Sequence, residues 1–351
     1  MINSDQSSYF MPPEWAPHEA TWLTWPKDPV TWPHRVEQAR EAFACMIEAL
    51  TPHEKVNLLV DDQENEKSVR KFLKKKNIFW NNLFFHPIPT SDSWIRDYGP
   101  IFVRGKDDIV ILDFIFNAWG NKYESLKEDD TIPQKIVKAQ HAAPLQNIPV
   151  IEPGIVLEGG SIDVNGRGSL LTTEQCLLNK NRNSHLSQKE IEEYLYKYLG
   201  TKNILWLGEG IEGDDTDGHI DDITRFVSEN TIVTVIEEDP KDANFKPLQE
   251  NLEKLRSMKD QEGKAFKIVC LPMPGRLDRD DGEGRLPASY ANFYIANNVL
   301  LVPIYQDKND KVALEILQKL FPSRKVISIV CNDLIYGMGT IHCLTQQQPK
   351  V

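Results

Sequence analysis

The stretch GGSIDVNGRGSLLTTEQCLL, residues 159–178, opens the clearest structural unit of this chain of 351 residues. It contains two short apolar runs, which predict two strands, Gly159–Val164 and Ser169–Leu178. The glycines around Gly166 lie between these runs and favour a turn. The unit therefore begins with two strands that a tight turn connects.

A helix and a third strand complete this unit. Ser187 and Glu190 form a capping box, in which each side chain satisfies a free backbone amide at a helix start. Apolar residues then recur at helical spacing from Ile191 until Gly200, and glycine commonly ends helices. The strand Ile204–Leu207 follows, so the order is strand, strand, helix, strand.

The same order recurs along the chain, with starts near residues 93, 159, 217 and 288, about 60–70 residues apart. The other predicted elements are the strands Trp94–Val103, Ile109–Phe114, Ile223–Val227, Thr231–Ile236, Phe266–Leu271, Ala291–Ala296, Val299–Ile304 and Val326–Ile329, and the helices Pro247–Met258 and Val312–Leu320. A fixed period indicates a repeat architecture, in which the opening motif of each unit has an equivalent position.

The two ends of the chain together predict a fifth unit. The run Gly337–Thr345 begins a copy that then stops, and the segment Ala20–Pro26, the helix Arg35–Leu50 and the strand Val56–Val60 finish it. Joining both ends in one unit closes a ring and removes exposed strand edges. We expect an α/β fold of five repeats around a common centre. A mixed α/β sandwich is the alternative that explains the same strands and helices.

The composition restricts the class of partner. We expect one domain over residues 1–351, with residues 1–10 as a flexible terminus. The formal net charge of −12 disfavours nucleic acid and anionic membranes and attracts cations.

No apolar run approaches the roughly 20 residues of a membrane helix, and the polar N-terminus lacks a signal-peptide pattern, so we expect a cytoplasmic protein. Five cysteines without a CxxC pair favour a reducing compartment over a disulfide framework or a thiolate zinc site.

Cys343 lies eight residues from the end of the chain, within a run that also contains Gly339. A thiolate is a strong nucleophile, but an unperturbed thiol is mostly protonated at neutral pH and needs a cationic neighbour. An arriving guanidinium can be that cation. The alternative is an inert, buried cysteine in a strand, which is common for this residue type.

His219 follows Gly218 and is predicted to open a strand. Asp221 would then project from the same face, because side chains two residues apart in a strand do so. This pairing favours a general acid and base near neutral pH. A structural histidine is equally open as an explanation. A His-x-Asp pair can also ligate a metal, but the sequence places no third neutral ligand nearby.

Asp97 and Glu158 are two further acids in turn-rich contexts. If Arg96 and Asp97 lie in a strand, their side chains face opposite ways, so Asp97 can point inward; an Arg96–Asp97 surface pair is the alternative. Glu158 precedes Gly159 and Gly160, which allow a close approach of the backbone, although a capping role is also open. Two carboxylates can each bind the planar N–H fork of a guanidinium.

Four motifs resemble those of the agmatine deiminases, within the bacterial-type peptidyl-arginine deiminase family of the guanidino-group-modifying superfamily: Trp94–Pro100, Glu158–Gly160, Gly218–Asp221 and Ile341–Cys343. The segments Met11–Pro26 and Leu286–Asn292 match as well, so the resemblance covers nearly the whole chain. It implies a fivefold pseudosymmetric α/β propeller, known as the pentein fold.

The resemblance also implies a role for each candidate residue. Cys343 would attack the guanidinium carbon, while Asp97 and Asp221 hold its nitrogens. His219 would protonate the departing ammonia and then activate water, and Glu158 would orient His219. A covalent thiouronium intermediate would give a ureido product, which is N-carbamoylputrescine if the substrate is agmatine. No metal or organic cofactor is implied, and a homo-oligomer is compatible with the family.

The substrate tail is the feature that the motifs define least. Asp215, in an acidic loop, is expected to bind the far amine of agmatine, and Trp94 is expected to line the pocket by analogy. The alternative for Asp215 is a place in a solvated turn, and the alternative for Trp94 is packing in the core. Free arginine, peptidyl arginine or another guanidine are rival substrates. Two other classes remain: a thiol amidase that uses Cys343 and His219, and a non-catalytic polyamine-binding protein.

Overall fold

The computed structural model describes residues 9–106, 108–139, 148–282 and 284–350. In chain order its strands are β1 (His18–Thr24), β2 (Lys55–Val60), β3 (Leu83–Pro87), β4 (Ile101–Arg104), β5 (Ile109–Leu112), β6 (Val150–Ile151), β7 (Asp163–Val164), β8 (Ser169–Thr173), β9 (Asn203–Leu207), β10 (Thr224–Ser228), β11 (Thr231–Ile236), β12 (Lys267–Pro272), β13 (Tyr294–Ile295), β14 (Val299–Ile304), β15 (Lys325–Val330) and β16 (Gln346–Pro349). Its α-helices are α1 (Val36–Leu50), α2 (Gln63–Leu73), α3 (Ile95–Tyr98), α4 (Ala118–Asn121), α5 (Ile132–Lys138), α6 (Glu174–Leu177), α7 (Lys180–Asn183), α8 (Gln188–Leu199), α9 (Phe245–Ser257) and α10 (Asp310–Leu320).

These strands form five small sheets that repeat one pattern. Four sheets have the orders β4-β5-β6, β7-β8-β9, β10-β11-β12 and β13-β14-β15. In each, the first two strands are antiparallel and the third is parallel to the second. A helix connects each parallel pair, as a parallel crossover requires. The expected fivefold α/β repeat is confirmed.

Both ends of the chain meet in the remaining sheet, whose order is β16-β1-β2-β3. β16 is antiparallel to β1, with Thr21 opposite Gln347, and β2 is parallel to β1. The predicted closure of the ring by the two ends is therefore confirmed. Phe10 also forms a bridge with Arg104, whereas residues 1–8 of the predicted flexible terminus lie outside the described residues.

The main core packs α1 against the sheets through buried apolar side chains such as Phe43, Ile47 and Leu50. A second cluster fills the space between β4, β5, β8 and α8. At the start of α8, Ser187 and Glu190 form the predicted capping box, and Gly200 ends the helix with φ of 72°. These features fix the scaffold on which the polar motifs stand.

The structure corrects several predicted strands at their polar ends. The prediction Trp94–Val103 is wrong at its start, because α3 forms a helical turn before β4. Gly159–Val164 and Ala291–Ala296 are reduced to the two-residue strands β7 and β13. Ser169–Leu178 ends at Thr173, because the Thr173 hydroxyl accepts a hydrogen bond from the backbone N–H of Cys176 and caps α6. The other predicted boundaries agree to within two residues.

The polar motifs occupy equivalent places, just before the first strand of each sheet. α3 precedes β4, and 3₁₀ turns at Gly159–Ser161 and Ile220–Asp222 precede β7 and β10. Asn292 and Cys343 precede β13 and β16 in the same way. Successive residues of a helical turn can face one centre, whereas those of a strand alternate. The repeat thus brings sequence-distant motifs together.

Within the described ranges, no helix has both the length and the apolar character needed to cross a membrane. All five cysteines lie in the described part of the chain, and each is a free thiol, as expected.

Candidate active site

Cys343 is buried beside two groups that contact its sulfur. Asn292 donates a hydrogen bond from Nδ2 to Sγ at 3.1 Å, and Asp221 Oδ2 lies 3.7 Å from Sγ. A Cβ atom added to Gly339 would lie 3.2 Å from Sγ and 2.7 Å from the ring of Trp94, so the wall here is closely packed. Burial, reinforced by Asp221 and Asp222, raises the pKa of the Cys343 thiol well above its ordinary value. This shift favours the protonated thiol.

His219 stands just before the 3₁₀ turn Ile220–Asp222, so the prediction that it opens a strand is wrong. Its Nδ1 lies 3.7 Å from Asp97 Oδ1, and both ring nitrogens lack a hydrogen-bond partner among the described residues. Burial alone would lower the pKa of His219, but Asp97 and Cys176 raise it well above the ordinary value. The imidazole is thus poised as a proton donor.

Asp97 is held by two donors. Gly160 donates its backbone N–H to Oδ1 at 2.9 Å, and the Trp119 indole donates to Oδ2 at 3.0 Å. Trp119 adopts a positive φ of 52°, which is uncommon for a bulky residue and marks strain that the local fold supports. Burial raises the pKa of Asp97 to about 6, although His219 opposes this shift.

Asp221 is held by the residue before Cys343. Nδ1 of His342 lies 2.6 Å from Asp221 Oδ2, and Nε2 of His342 lies 2.7 Å from Glu14 Oε2. Burial opposes ionisation, but the His342 hydrogen bond brings the pKa of Asp221 below its ordinary value. Asp221 Oδ1 has no hydrogen-bond partner in the described part of the chain, so it can accept from a ligand.

Glu158 is fully buried against Arg182, whose Nε lies 2.6 Å from Oε1. Arg182 also pairs with Asp217 at 2.9 Å. Oε2 of Glu158 has no hydrogen-bond partner within the described residues. Glu158, Cys176 and His219 each place one ligand-type atom within 4.8 Å of the others. Cys176, which lies in α6, therefore approaches His219 and Glu158 from another part of the chain.

A cavity of about 290 Å³ leads to these groups, at the small end of the range for ligand pockets. Trp94, Asp97 and Cys343 line it together with Tyr123 and Asp215. The Tyr123 hydroxyl donates to Asp215 Oδ2 at 2.5 Å, and burial raises the pKa of this carboxyl to about 6. The cavity therefore offers carboxylates both beside the thiol and farther along its wall.

Gly160 shows how closely the candidate groups converge. A Cβ atom at this position would lie 2.5 Å from His219 Nδ1, 2.8 Å from Asp97 Oδ1 and 3.1 Å from Asp221 Oδ2. Glu158 and Cys343 adjoin this cluster through His219 and Asp221, respectively. All five predicted catalytic residues thus occupy one site, and Trp94 and Asp215 lie in its wall. Their chemical roles remain predictions.

Residues 10–349 match the model of the Porphyromonas-type peptidyl-arginine deiminase family. The chain belongs to this family. The membership that the motifs indicated is confirmed, and with it the pentein architecture and the enzyme class, a hydrolase of C–N bonds in guanidino groups.

Individual relatives resemble the chain over nearly its full length. A Legionella pneumophila protein named "putative agmatine deiminase" is 39% identical, covering 98% of this chain and 96% of its own. The structure of a C. jejuni agmatine deiminase is similar with a TM-score of 0.86 and 36% identity, covering 97% of this chain and 96% of its own. An agmatine deiminase of Enterococcus faecalis has a TM-score of 0.88 and 33% identity, covering 98% and 96%.

Sequence reasoning missed four residues that shape this deiminase-family site: Asn292, His342, Trp119 and Glu14. Only Asn292 could have been found from the sequence, because it lies just before the first strand of its repeat unit, as the other motifs do. The alternative of a surface pair between Arg96 and Asp97 is wrong, because Arg96 is buried and contacts Gln347 and Glu14.

Proposed function

We propose that the protein hydrolyses agmatine to N-carbamoylputrescine and ammonia. The observation that carries this proposal is the pair of carboxylates, Asp97 and Asp221, that converge with the Cys343 thiol and the His219 imidazole. A guanidinium between the two carboxylates would present its carbon to the thiol. The names of the C. jejuni and E. faecalis relatives support agmatine as the guanidine.

The first half of the reaction transfers the amidino carbon to sulfur. Binding of the guanidinium adds a positive charge beside Cys343, which favours loss of the thiol proton to solvent, where a proton later converts the released ammonia to ammonium. The thiolate attacks the guanidinium carbon, and His219, charged at rest, donates its proton to one nitrogen. The C–N bond breaks, ammonia leaves, and a thiouronium remains on Cys343 while His219 is neutral.

The second half returns the enzyme to its starting state. Neutral His219 accepts a proton from water, and the resulting hydroxide attacks the thiouronium carbon. The C–S bond then breaks and the thiolate leaves. The proton of the new hydroxyl group passes to sulfur, which restores the thiol as the ureido product is released. Glu158 orients His219 through its position next to the imidazole. Metal or organic cofactors have no part in these steps.

The wall of the cavity supports a substrate with a second positive charge. Asp28, Asp92 and Asp215 line it beyond the thiol, together with one cation, Arg279. Arg279 already pairs with Asp281 at 3.0 Å, so its charge is partly compensated. At the end far from the guanidine, agmatine carries only an amine, whereas arginine carries both an amine and a carboxylate. The acidic wall therefore favours agmatine over free or peptidyl arginine.

The cell compartment belongs to the same proposal. Five free cysteines, one of them the nucleophile, are compatible with the reducing cytoplasm, where thiols persist without pairing. We place the enzyme there. Homo-oligomers would be compatible with this assignment.

The test compares wild type and Cys343→Ala with agmatine and arginine in parallel, measuring ammonia and the ureido product. Acid quenching during turnover, followed by intact-mass analysis, reports the thiouronium on Cys343. We expect agmatine turnover by wild type alone and an adduct that the substitution abolishes. Faster turnover of arginine would overturn the substrate. Turnover of a neutral amide without any guanidine turnover would favour a thiol amidase, and binding of polyamines without ammonia release would favour a binding protein.

A further inference from the structure

Cys176 is a buried thiol that the proposed reaction does not use. It follows Gln175 in α6 and is fully buried, beside Glu158 and His219. Each of the three side chains offers one atom of a type that binds metals, and these atoms all lie within 4.8 Å of one another. A thiol, an imidazole and a carboxylate therefore share one buried corner of the site.

Some polar side-chain atoms of these residues have no hydrogen-bond partner among the described residues. Oε2 of Glu158 and both ring nitrogens of His219 are buried without a hydrogen-bond partner anywhere in the ranges that the structure describes. Buried polar atoms in proteins are nearly always paired, so the unpaired atoms of Glu158 and His219 leave room for a ligand. Arg182 occupies only the other oxygen of Glu158.

We propose that Glu158, Cys176 and His219 form an inhibitory site for a soft divalent cation such as Zn²⁺. Thiolate, imidazole and carboxylate are the donors that Zn²⁺ prefers, and three protein ligands leave a fourth position for water. Ligand atoms around tetrahedral zinc lie roughly 3.5 Å apart, so these side chains need to move by only about an ångström. The thiol loses its proton as the metal binds.

A second cluster also has ligand-type spacing, but its atoms are already engaged. Asp221, Asp222 and Cys343 place one atom each within 4.8 Å. Asn292 donates to both Asp222 Oδ1 and Cys343 Sγ, and His342 contacts Asp221 Oδ2. This cluster also lacks an imidazole. The Glu158, Cys176 and His219 cluster is therefore the better site for zinc.

The consequence for catalysis follows from His219. A metal bound to its imidazole removes the proton donor of the first step, so turnover stops while Cys343 stays chemically intact. The acidic wall of the cavity and the net charge of −12 attract cations toward the site. Mg²⁺ should have little effect, because it prefers oxygen ligands.

Cobalt(II) titration tests the site directly, since thiolate-to-cobalt absorption reports coordination by sulfur and does not depend on the proposed reaction. The proteins are wild type, Cys176→Ala, Cys343→Ala and Cys331→Ala, the last removing a buried thiol elsewhere. We expect the band in every protein except Cys176→Ala, with zinc competing for it. A band that is lost in Cys343→Ala instead, or absent from wild type, would overturn the proposal.

Ammonia release provides the second readout, with each protein normalised to its own metal-free rate. We expect Zn²⁺ to inhibit wild type and Cys331→Ala equally, and Cys176→Ala to need about tenfold or more Zn²⁺ for the same inhibition. Equal sensitivity of Cys176→Ala and wild type would refute the inhibitory role. Circular dichroism of Cys176→Ala confirms that the variant is folded.

Discussion

Asp221 and His342 form a direct contact, with Asp221 Oδ2 2.6 Å from Nδ1 of the residue that precedes Cys343. The other ring nitrogen of His342 lies 2.7 Å from Glu14 Oε2, and Arg225 lies 3.0 Å from the same oxygen. The imidazole of His342 therefore links Asp221 to Glu14. The N-terminal segment thereby helps to fix the Asp221 carboxylate beside Cys343.

Replacing His342 should weaken guanidine binding without removing the nucleophile. In His342→Leu, the Asp221 carboxylate loses its hydrogen bond from the imidazole. A hydrogen bond to a charged group is worth about 1.5–3 kcal/mol, so kcat/KM for agmatine should fall by roughly 10- to 100-fold. The pKa of Asp221 should rise, which moves the acid limb of the pH profile to higher pH. His342→Gln, which keeps one donor, should lose less. A His342→Leu enzyme with the wild-type pH profile would contradict this role.

The pH dependence of kcat/KM should show an acid limb near pH 6. Burial raises the pKa of Asp97 from 3.8 to about 6, so this group is neutral below that pH in the folded enzyme. A neutral acid cannot pair with the guanidinium, and activity should rise with pH until Asp97 is ionised. Because the pKa of Asp215 is also about 6, butylguanidine, which lacks the far amine, isolates the contribution of Asp97. A flat profile down to pH 4.5 would exclude this assignment.

Gly160→Ala should inactivate a folded enzyme. The added Cβ would lie 2.5 Å from His219 Nδ1 and 2.8 Å from Asp97 Oδ1, closer than real contacts allow. Displacing these groups by about an ångström should lower kcat/KM roughly 100-fold, while overpacking costs about 1–3 kcal/mol of stability. Gly208→Ala is the matched control, since its Cβ would make contacts of 3.4 Å and longer. Equal activity of both variants would show that the site accommodates the methyl group.

Asp215→Asn should reduce the preference for a substrate with a far amine. The measurement is the ratio of kcat/KM for agmatine to that for butylguanidine, which differs only by the amine. Loss of a charged partner should lower this ratio by roughly 10- to 100-fold and leave butylguanidine turnover nearly unchanged. Asp108→Asn, at an exposed position outside the cavity lining, serves as the control for a general change in surface charge. An unchanged ratio in Asp215→Asn would place the amine elsewhere.

The repeat explains why the sequence predicted the candidate site well. Each motif opens a repeat unit, and equivalent positions of the units lie close together around the centre. Asp97, Glu158, His219 and Cys343 therefore meet. The strand assignments around Asp97 and His219 were wrong, because Asp97 lies in a helical turn and His219 lies directly before one, and the sequence pattern does not show either turn. His342 and Glu14 were missed since they are 328 residues apart and meet through ring closure.

Closure of the ring by β1 and β16 also sets the order in which the protein can become active. Cys343 lies three residues before β16, whose partner β1 is among the first strands to leave the ribosome. A nascent chain can build the other four sheets before β16 exists, and pairing so distant in sequence forms slowly. The thiol is therefore positioned only after β16 has paired with β1, and a chain without β16 has no assembled site.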